Sequence, residues 1–139
     1  MIEPIKSVEQ SILKLDLGCG KNKKEGYTGV DCRDFGQDLT ADLRESWPWL
    51  SDSVDEVHCS HFVEHLTGIE RIHFVNELYR VLKMGGKAQI IVPHWASCRA
   101  YGDLTHQWPP VSEFWFYYLS KEWRAQNAPH NDGYVCDFE

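Results

Sequence analysis

The sequence lacks any apolar run that approaches the roughly 18 residues needed to cross a membrane. It also lacks an excess of positive charge, because its formal net charge is −7, and this argues against a broad phosphate-binding surface. The first residues, Met1 to Lys6, have neither the basic start nor the continuous apolar segment of a secretory signal. We therefore expect a cytoplasmic protein with no membrane partner and no nucleic-acid partner.

Paired cysteines are absent too. The five cysteines are odd in number, and none stands in a Cys-x-x-Cys pair. Such spacing is poor for a disulfide framework and for a structural zinc site. We expect free thiols, most of them buried.

The length and the periodicity predict one α/β domain over residues 1–139. Strand-like runs lie near residues 12–17, 27–31, 54–59 and 87–92, and a helix is predicted over 68–83. Thr67 and Glu70 form a capping box at its start, and Gly85-Gly86 are expected to stop it. Its expected buried stripe comprises Ile69, Ile72, Val75, Leu78, Tyr79 and Leu82.

The first strand ends in Gly18-Cys19-Gly20, where the missing side chains would let a ligand lie against bare backbone. Asp31 follows Gly20 by eleven residues, at the end of the second strand. A carboxylate there is placed to accept both hydroxyl groups of a ribose, although aspartate is also common as a cap. The third glycine of a dinucleotide fingerprint is replaced by Lys23, which favours a nucleoside without a pyrophosphate. S-adenosylmethionine fits that description.

Four ordered blocks resemble class I S-adenosylmethionine-dependent methyltransferases of the type 11 branch, over roughly residues 12 to 94. They are Leu15 to Gly20, Ala41-Asp42-Leu43 with Ser51 to Val57, Ser60 to Leu66, and Glu77 to Gly86 leading into Ala88 to Pro93. Met84 replaces the usual proline of the last block. The resemblance implies a Rossmann-like, mostly parallel sheet with flanking helices. It implies S-adenosyl-L-methionine as cofactor and a small-molecule acceptor.

The same resemblance implies the residues of the cofactor site. Asp16 is expected near the methionine portion and Asp31 at the ribose, while Asp42 or a backbone group reads the adenine amine and Leu43 packs on the ring. Ser60 and His61 are expected to face the sulfonium. The full expected set is Asp16, Gly18, Cys19, Gly20, Asp31, Cys32, Asp42, Leu43, Ser60 and His61.

Methyl transfer needs mainly alignment, and an oxygen or nitrogen acceptor also loses a proton. A histidine suits that task. We expect His61 to be the general base, ahead of His94 and His106, with no metal required. His65 is expected to be packed and hydrogen-bonded.

Two departures from the family pattern bear on the fold. About ten residues separate the first two strands, fewer than a crossover with a full helix needs, so the first helix is expected to be shortened, leaving Lys21 to Tyr27 as a loop over the cofactor. The sixth and seventh strands are expected to be incomplete. We expect the C-terminal segment or a second subunit to cover the edge at 87–92. Residues 95–139 hold 11 of 18 aromatic residues, which fits an acceptor lid, a homodimer face or ordinary packing.

Three alternatives stay open. A noncatalytic S-adenosylmethionine-binding or dimerisation module is compatible with the short chain. A nicotinamide-dependent oxidoreductase is opposed by Lys23 and by the early acid. A zinc hydrolase using His61-x-x-Glu64-His65 needs another metal ligand and leaves Gly18, Gly20 and Asp31 unexplained.

Overall fold

The computed structural model describes residues 11–139, which form a five-stranded sheet with helices beside it. All neighbouring strands are parallel, in the order β3-β2-β1-β4-β5. The strands are β1 (Lys14–Leu17), β2 (Thr28–Asp31), β3 (Leu39–Thr40), β4 (Val54–Ser60) and β5 (Leu82–Ile91). The predicted α/β class and the parallel, Rossmann-like arrangement are confirmed.

The helices follow β4 and β5 along the chain. They are the 3-10 turn η1 (Val63–His65), α1 (Gly68–Val81), α2 (Arg99–Gly102), α3 (Glu113–Tyr117) and α4 (Lys121–Asn127). Between β1 and β2 the chain forms only turns, so the predicted loss of the first helix is confirmed. Within residues 11–139, no helix is both long and apolar enough to cross a membrane.

One face of the sheet carries the core. Successive side chains of a strand alternate between the two faces, and Leu15, Leu17, Val57 and Cys59 are all completely or almost completely buried. They belong to the same buried cluster as Phe74 and its neighbours on α1. The helix therefore covers this face and shields it from water.

The opposite face is polar. Lys14 pairs with Glu56 at 3.3 Å, and His58 Nδ1 lies 3.2 Å from Gln89 Oε1. The residues of each pair oppose each other on adjacent strands: Lys14 on β1 opposes Glu56 on β4, and His58 on β4 opposes Gln89 on β5. Parallel sheets usually bury both faces. Here the alternation of apolar and polar residues along β4 gives the sheet one apolar, buried face and one polar face.

Helix α1 begins at the predicted capping box. The Thr67 backbone N donates to Glu70 Oε1 at 2.9 Å, and Glu70 N donates to the Thr67 hydroxyl at 3.4 Å. The predicted buried stripe was only partly right, because Ile69 and Tyr79 are 83% and 43% exposed. The observed buried residues of the helix are Arg71, Phe74, Val75, Leu78 and Val81.

Gly85 and Gly86 do not stop the helix, and that prediction was wrong. The chain leaves α1 at Leu82, with φ −68° and ψ 134°, and the two glycines lie inside β5. The pairing register shifts between Val54 and Glu56, which oppose Leu82 and Lys87. A Cβ on Gly86 would meet the Lys83 carbonyl oxygen at 2.9 Å. The glycines therefore form a bulge where two backbones approach closely.

The C-terminal segment does not pair with β5, so that part of the prediction was wrong. It packs on α1 instead, where Asn76 Oδ1 accepts from the backbone N of Val135 and of Cys136. Phe138 lies against Tyr79 with ring centroids 5.4 Å apart. Strand β5 is an edge strand in the described sheet. Its coverage by a second subunit stays a prediction.

The two faces predict opposite responses to truncation. We expect Val57→Ala to lower the free energy of unfolding by about 2 kcal/mol, because it removes buried methyl groups and leaves a cavity. Gln89→Ala on the polar face should change it by less than about 0.5 kcal/mol. Urea denaturation of both variants measures this, and a similar loss at Gln89 would mean that the polar face is covered.

Candidate functional site

The turn after β1 is held to the end of β2 by backbone hydrogen bonds. Gly18 N and Cys19 N both donate to the Val30 carbonyl, at 2.8 and 3.1 Å. Gly18 and Gly20 have φ angles of +68° and +55°, which glycine adopts without steric cost. The turn therefore lies at the carboxyl edge of the sheet, where open parallel sheets bind ligands.

Asp31 clamps this turn. Its Oδ2 accepts from Gly20 N at 2.9 Å, and its Oδ1 accepts from Arg33 N at 3.2 Å. Each carboxylate oxygen can accept a further hydrogen bond. Cys32 follows directly and is exposed. The carboxylate is therefore anchored and still has capacity for ligand hydroxyl groups.

The two glycines of the turn differ in what lies over them. A Cβ on Gly18 would meet the Phe62 ring at 2.5 Å, whereas nothing lies within 4 Å of a Cβ on Gly20. The expectation that both glycines leave bare backbone for a ligand was therefore wrong at Gly18. Phe62 occupies that space, and Gly20 alone is open.

Asp16 and Lys23 organise the loop that follows. Asp16 is 4% exposed, and its Oδ2 accepts from Lys24 N at 2.7 Å. The Lys23 chain lies against Gly29, where a Cβ would come within 2.8 Å, and its Nζ lies 2.8 Å from Asp38 Oδ2. The residue that replaces the third glycine thus fastens the loop to the sheet.

Cys19 carries a thiol in this turn. Burial raises its pKa, and the carboxylates of Asp16 and Asp31 raise it further. The thiol is therefore protonated at neutral pH, and it acts as a small side chain rather than as a nucleophile.

A small pocket of about 160 Å³ lies next to the Asp31 turn. The Asp42 carboxylate at its wall is held by the Arg44 guanidinium, with contacts of 2.9 and 2.7 Å, which lowers the pKa of Asp42. Leu43 is 3% exposed and also belongs to the core. The lining residues are Cys32, Ala41, Asp42, Leu43, Arg44, Phe62, His65 and Leu66.

A larger cleft of about 800 Å³ adjoins the small pocket at His65, which lines both. Ser60 is the last residue of β4, so the cleft begins where that strand ends. The predicted His61 and His106 line it, together with Glu64, which sequence reasoning placed only in the hydrolase alternative. Three histidines and a buried carboxylate therefore meet in one cleft.

His61 has an uncommon backbone conformation, with φ +54°, and its N donates to the Ile91 carbonyl at 2.8 Å. Its Nδ1 lies 3.3 Å from Oε1 of Glu64, while most of its side chain is exposed. A positive φ at a bulky residue costs free energy and is held by its surroundings. The strained backbone turns the imidazole from the strand end towards the cleft.

His94 lies elsewhere. It is not among the residues that line the cleft, and its Nε2 lies 2.9 Å from Glu113 Oε2. Its ring is tilted against Trp95. The structure thus brings together two of the three histidines considered for catalysis and separates the third.

Arg71 was missed by sequence reasoning and builds the cleft. It is 5% exposed, and burial lowers the pKa of its guanidinium. The guanidinium donates to the carbonyls of Val63, Glu64, Gln107 and Pro109 at 2.6 to 3.4 Å. These contacts fasten residues 107–109 to η1. The sequence did offer one signal for this role: Arg71 falls at helical spacing among the apolar residues of α1, where a charged side chain is unusual.

The fold agrees with the comparisons to known proteins. The model of a family described as methyltransferase domain, type 11, matches residues 15–90. This chain belongs to that family. No curated protein matches the chain.

Solved structures support the same fold for this methyltransferase domain. A SAM-dependent methyltransferase from Archaeoglobus fulgidus is 25% identical, with a TM-score of 0.65, over 78% of this chain and 59% of that one. A protein from Bacillus halodurans C-125 is 15% identical, with a TM-score of 0.58, over 86% and 63%. This methyltransferase domain therefore spans about three fifths of the length of these two neighbours.

Gly18 and Gly20 offer a matched test of the methyltransferase turn. Gly18→Ala should cost about 2–4 kcal/mol of unfolding free energy, because it adds a clash with Phe62 to an unfavourable φ. Gly20→Ala shares the positive φ without the clash and should cost about 1 kcal/mol. Denaturation curves measure both, and equal losses would contradict the contact between Phe62 and Gly18.

Arg71→Met should lower the unfolding free energy by about 2 kcal/mol, because the part-buried carbonyls of Gln107 and Pro109 lose a charged donor. It should also speed hydrogen exchange at the Gln107 amide, which donates to the Glu64 carbonyl at 2.8 Å. Exposed Arg33→Met is the control and should change stability by less than about 0.5 kcal/mol. Unchanged exchange at Gln107 would show that Arg71 does not hold this segment.

Proposed function

We propose that this chain transfers a methyl group from S-adenosyl-L-methionine to an oxygen or nitrogen of a small-molecule acceptor. The observation that carries the proposal is the anchored Asp31 carboxylate beside two pockets that meet at His65. A nucleoside and an acceptor need adjoining sites of this kind, because the reacting atoms must lie in line. Membership of the methyltransferase domain family supports the same reaction.

The residues of the turn after β1, Asp31 and the smaller pocket together fit the cofactor. Asp31 would accept the ribose hydroxyl groups, and the open backbone at Gly20 would lie against the amino-acid portion. The adenine would lie in the 160 Å³ pocket on Leu43. Because Arg44 occupies the Asp42 carboxylate, a backbone group rather than Asp42 would read the adenine amine.

The larger cleft would hold the acceptor. The bound cofactor supplies a methyl group on a positively charged sulfur, so no covalent enzyme intermediate is needed. His61 would take the proton that an oxygen or nitrogen nucleophile loses, and Glu64 Oε1 would hold its Nδ1. His106 and then His94 are the next candidates for the general base. His94 ranks last because it is not among the residues that line the cleft. The histidines and Glu64 in the lining favour an acceptor that carries a polar group.

Asp31→Asn tests the cofactor site. We expect it to weaken S-adenosylmethionine binding by about 10- to 100-fold, because charge-assisted hydrogen bonds to the ribose are lost. Exposed Asp34→Asn is the matched control and should bind like the unchanged chain. Isothermal calorimetry with S-adenosylmethionine and S-adenosylhomocysteine gives both affinities.

Absence of saturable binding in the unchanged chain would contradict the proposal. Binding without methyl transfer across an acceptor panel would instead favour the noncatalytic cofactor-binding module. If His61 is the general base, His61→Ala should lower turnover by about 100-fold or more in a folded chain.

A further inference from the structure

Three potential metal ligands meet in the larger cleft. Glu64, His65 and His106 each offer a ligand atom, and these atoms all lie within 4.8 Å of one another. Glu64 and His65 come from the η1 turn, and His106 comes from the segment that Arg71 holds against it. Residues 41 and 42 positions apart are thus brought to one point by the fold.

Glu64 supplies an independent indication. Within residues 11–139, its Oε2 is a buried side-chain oxygen without a hydrogen-bond partner, although the residue is only 4% exposed. Leaving a buried charged oxygen unpaired is costly. Its other oxygen lies 3.3 Å from His61 Nδ1. The Arg71 guanidinium interacts electrostatically with the Glu64 carboxylate but donates its hydrogen bonds to backbone carbonyls. Among the described residues, Oε2 therefore has no hydrogen-bonded cation.

The hydrogen bonds of the two histidines fix which ring nitrogen carries the proton. Thr105 donates its hydroxyl hydrogen to Asp103 Oδ1 at 2.7 Å, so its oxygen accepts from His65 Nδ1 at 3.0 Å. His106 Nδ1 lies 3.1 Å from the Ala100 carbonyl, which can only accept. Both rings are thereby left with a lone pair on Nε2. Metal-binding histidines are oriented by outer partners in this way.

We propose that Glu64 Oε2, His65 and His106 bind one divalent transition-metal ion, such as Zn²⁺, Co²⁺, Mn²⁺ or Fe²⁺. Two imidazoles and a carboxylate suit these ions, whereas Mg²⁺ and Ca²⁺ prefer oxygen ligands. Tetrahedral ligands at about 2.1 Å lie about 3.4 Å apart, so small side-chain rotations bring the three ligands to the ion. Three protein ligands leave one position open, as in catalytic sites.

The metal site does not depend on methyl transfer, but it gives the proposed reaction a substrate class. This substrate class rests on the proposed function. An acceptor hydroxyl binds the open position on the ion, and the ion lowers the pKa of that hydroxyl. Its proton goes to His61, the oxygen forms a bond to the methyl carbon, and the carbon–sulfur bond breaks. Glu64 then serves both partners, with Oε1 towards His61 and Oε2 on the ion. The acceptor class is an alcohol or phenol.

The test is calorimetric titration of the chelator-treated full chain with Zn²⁺, Co²⁺, Mn²⁺ and Mg²⁺. We expect one Zn²⁺ or Co²⁺ per chain, and no comparable Mg²⁺ binding. Glu64→Gln and His106→Ala should each weaken binding by about 100-fold or more, and Thr105→Val should weaken it by about tenfold through loss of an outer partner. His94→Ala is the matched control, and circular dichroism verifies that each variant is folded.

The exposed Cys98 also lines the cleft, so Cys98→Ser is measured as well and should retain full affinity. No binding by the unchanged chain, an affinity in folded Glu64→Gln or His106→Ala equal to that of the unchanged chain, or loss of binding in Cys98→Ser alone would each overturn the proposal. S-adenosylmethionine affinity is measured on the same samples. Cofactor binding without metal binding would reject only the metal site, and the reverse would reject only the proposed methyl transfer.

Discussion

Four backbone carbonyls from two distant segments converge on the buried guanidinium of Arg71. A rigid guanidinium presents five donors in one plane, so it can bind carbonyls of both segments at once. The Gln107 N to Glu64 carbonyl hydrogen bond and the Thr105–His65 contact join the same two segments. Arg71 adds the charged donors that reinforce the position of His106 beside His65 and Glu64.

The sheet shows how this domain presents such a site. Within residues 11–139, α1 covers the apolar face that carries Leu15, Leu17, Val57 and Cys59. The polar pairs on the other face keep it compatible with water, so the absence of a helix between β1 and β2 does not expose a hydrophobic surface. The carboxyl edge of this parallel sheet is thus formed without a helix between its first two strands.

The sequence was a good guide where local rules apply. Period, capping box and glycine spacing predicted four of the five strands, the start of α1 and the closeness of Gly20 and Asp31, because short-range sterics and hydrogen bonds decide these features. The two-residue β3 and the start of β5 at Leu82, five residues before the predicted one, were missed. The family blocks added the parallel fold.

Other features depend on contacts between distant residues. The ring of Phe62 over Gly18, the bulge at Gly85-Gly86 and the Arg71 contacts are tertiary events without a local signature. The same is true of His106 beside His65 and Glu64, since 40 residues separate the histidines. His65 is packed and hydrogen-bonded, as expected, but its partners Thr105 and His106 lie too far along the chain for its sequence neighbours to indicate them.

Phe62 connects the glycine turn to the interior. Its ring lies over Gly18 and 5.8 Å from the Phe74 ring, which in turn lies 5.3 Å from Trp47. A ligand that orders the turn therefore also restrains the aromatic centre of the core. Occupancy of the smaller pocket and the melting temperature of the whole domain are consequently linked quantities.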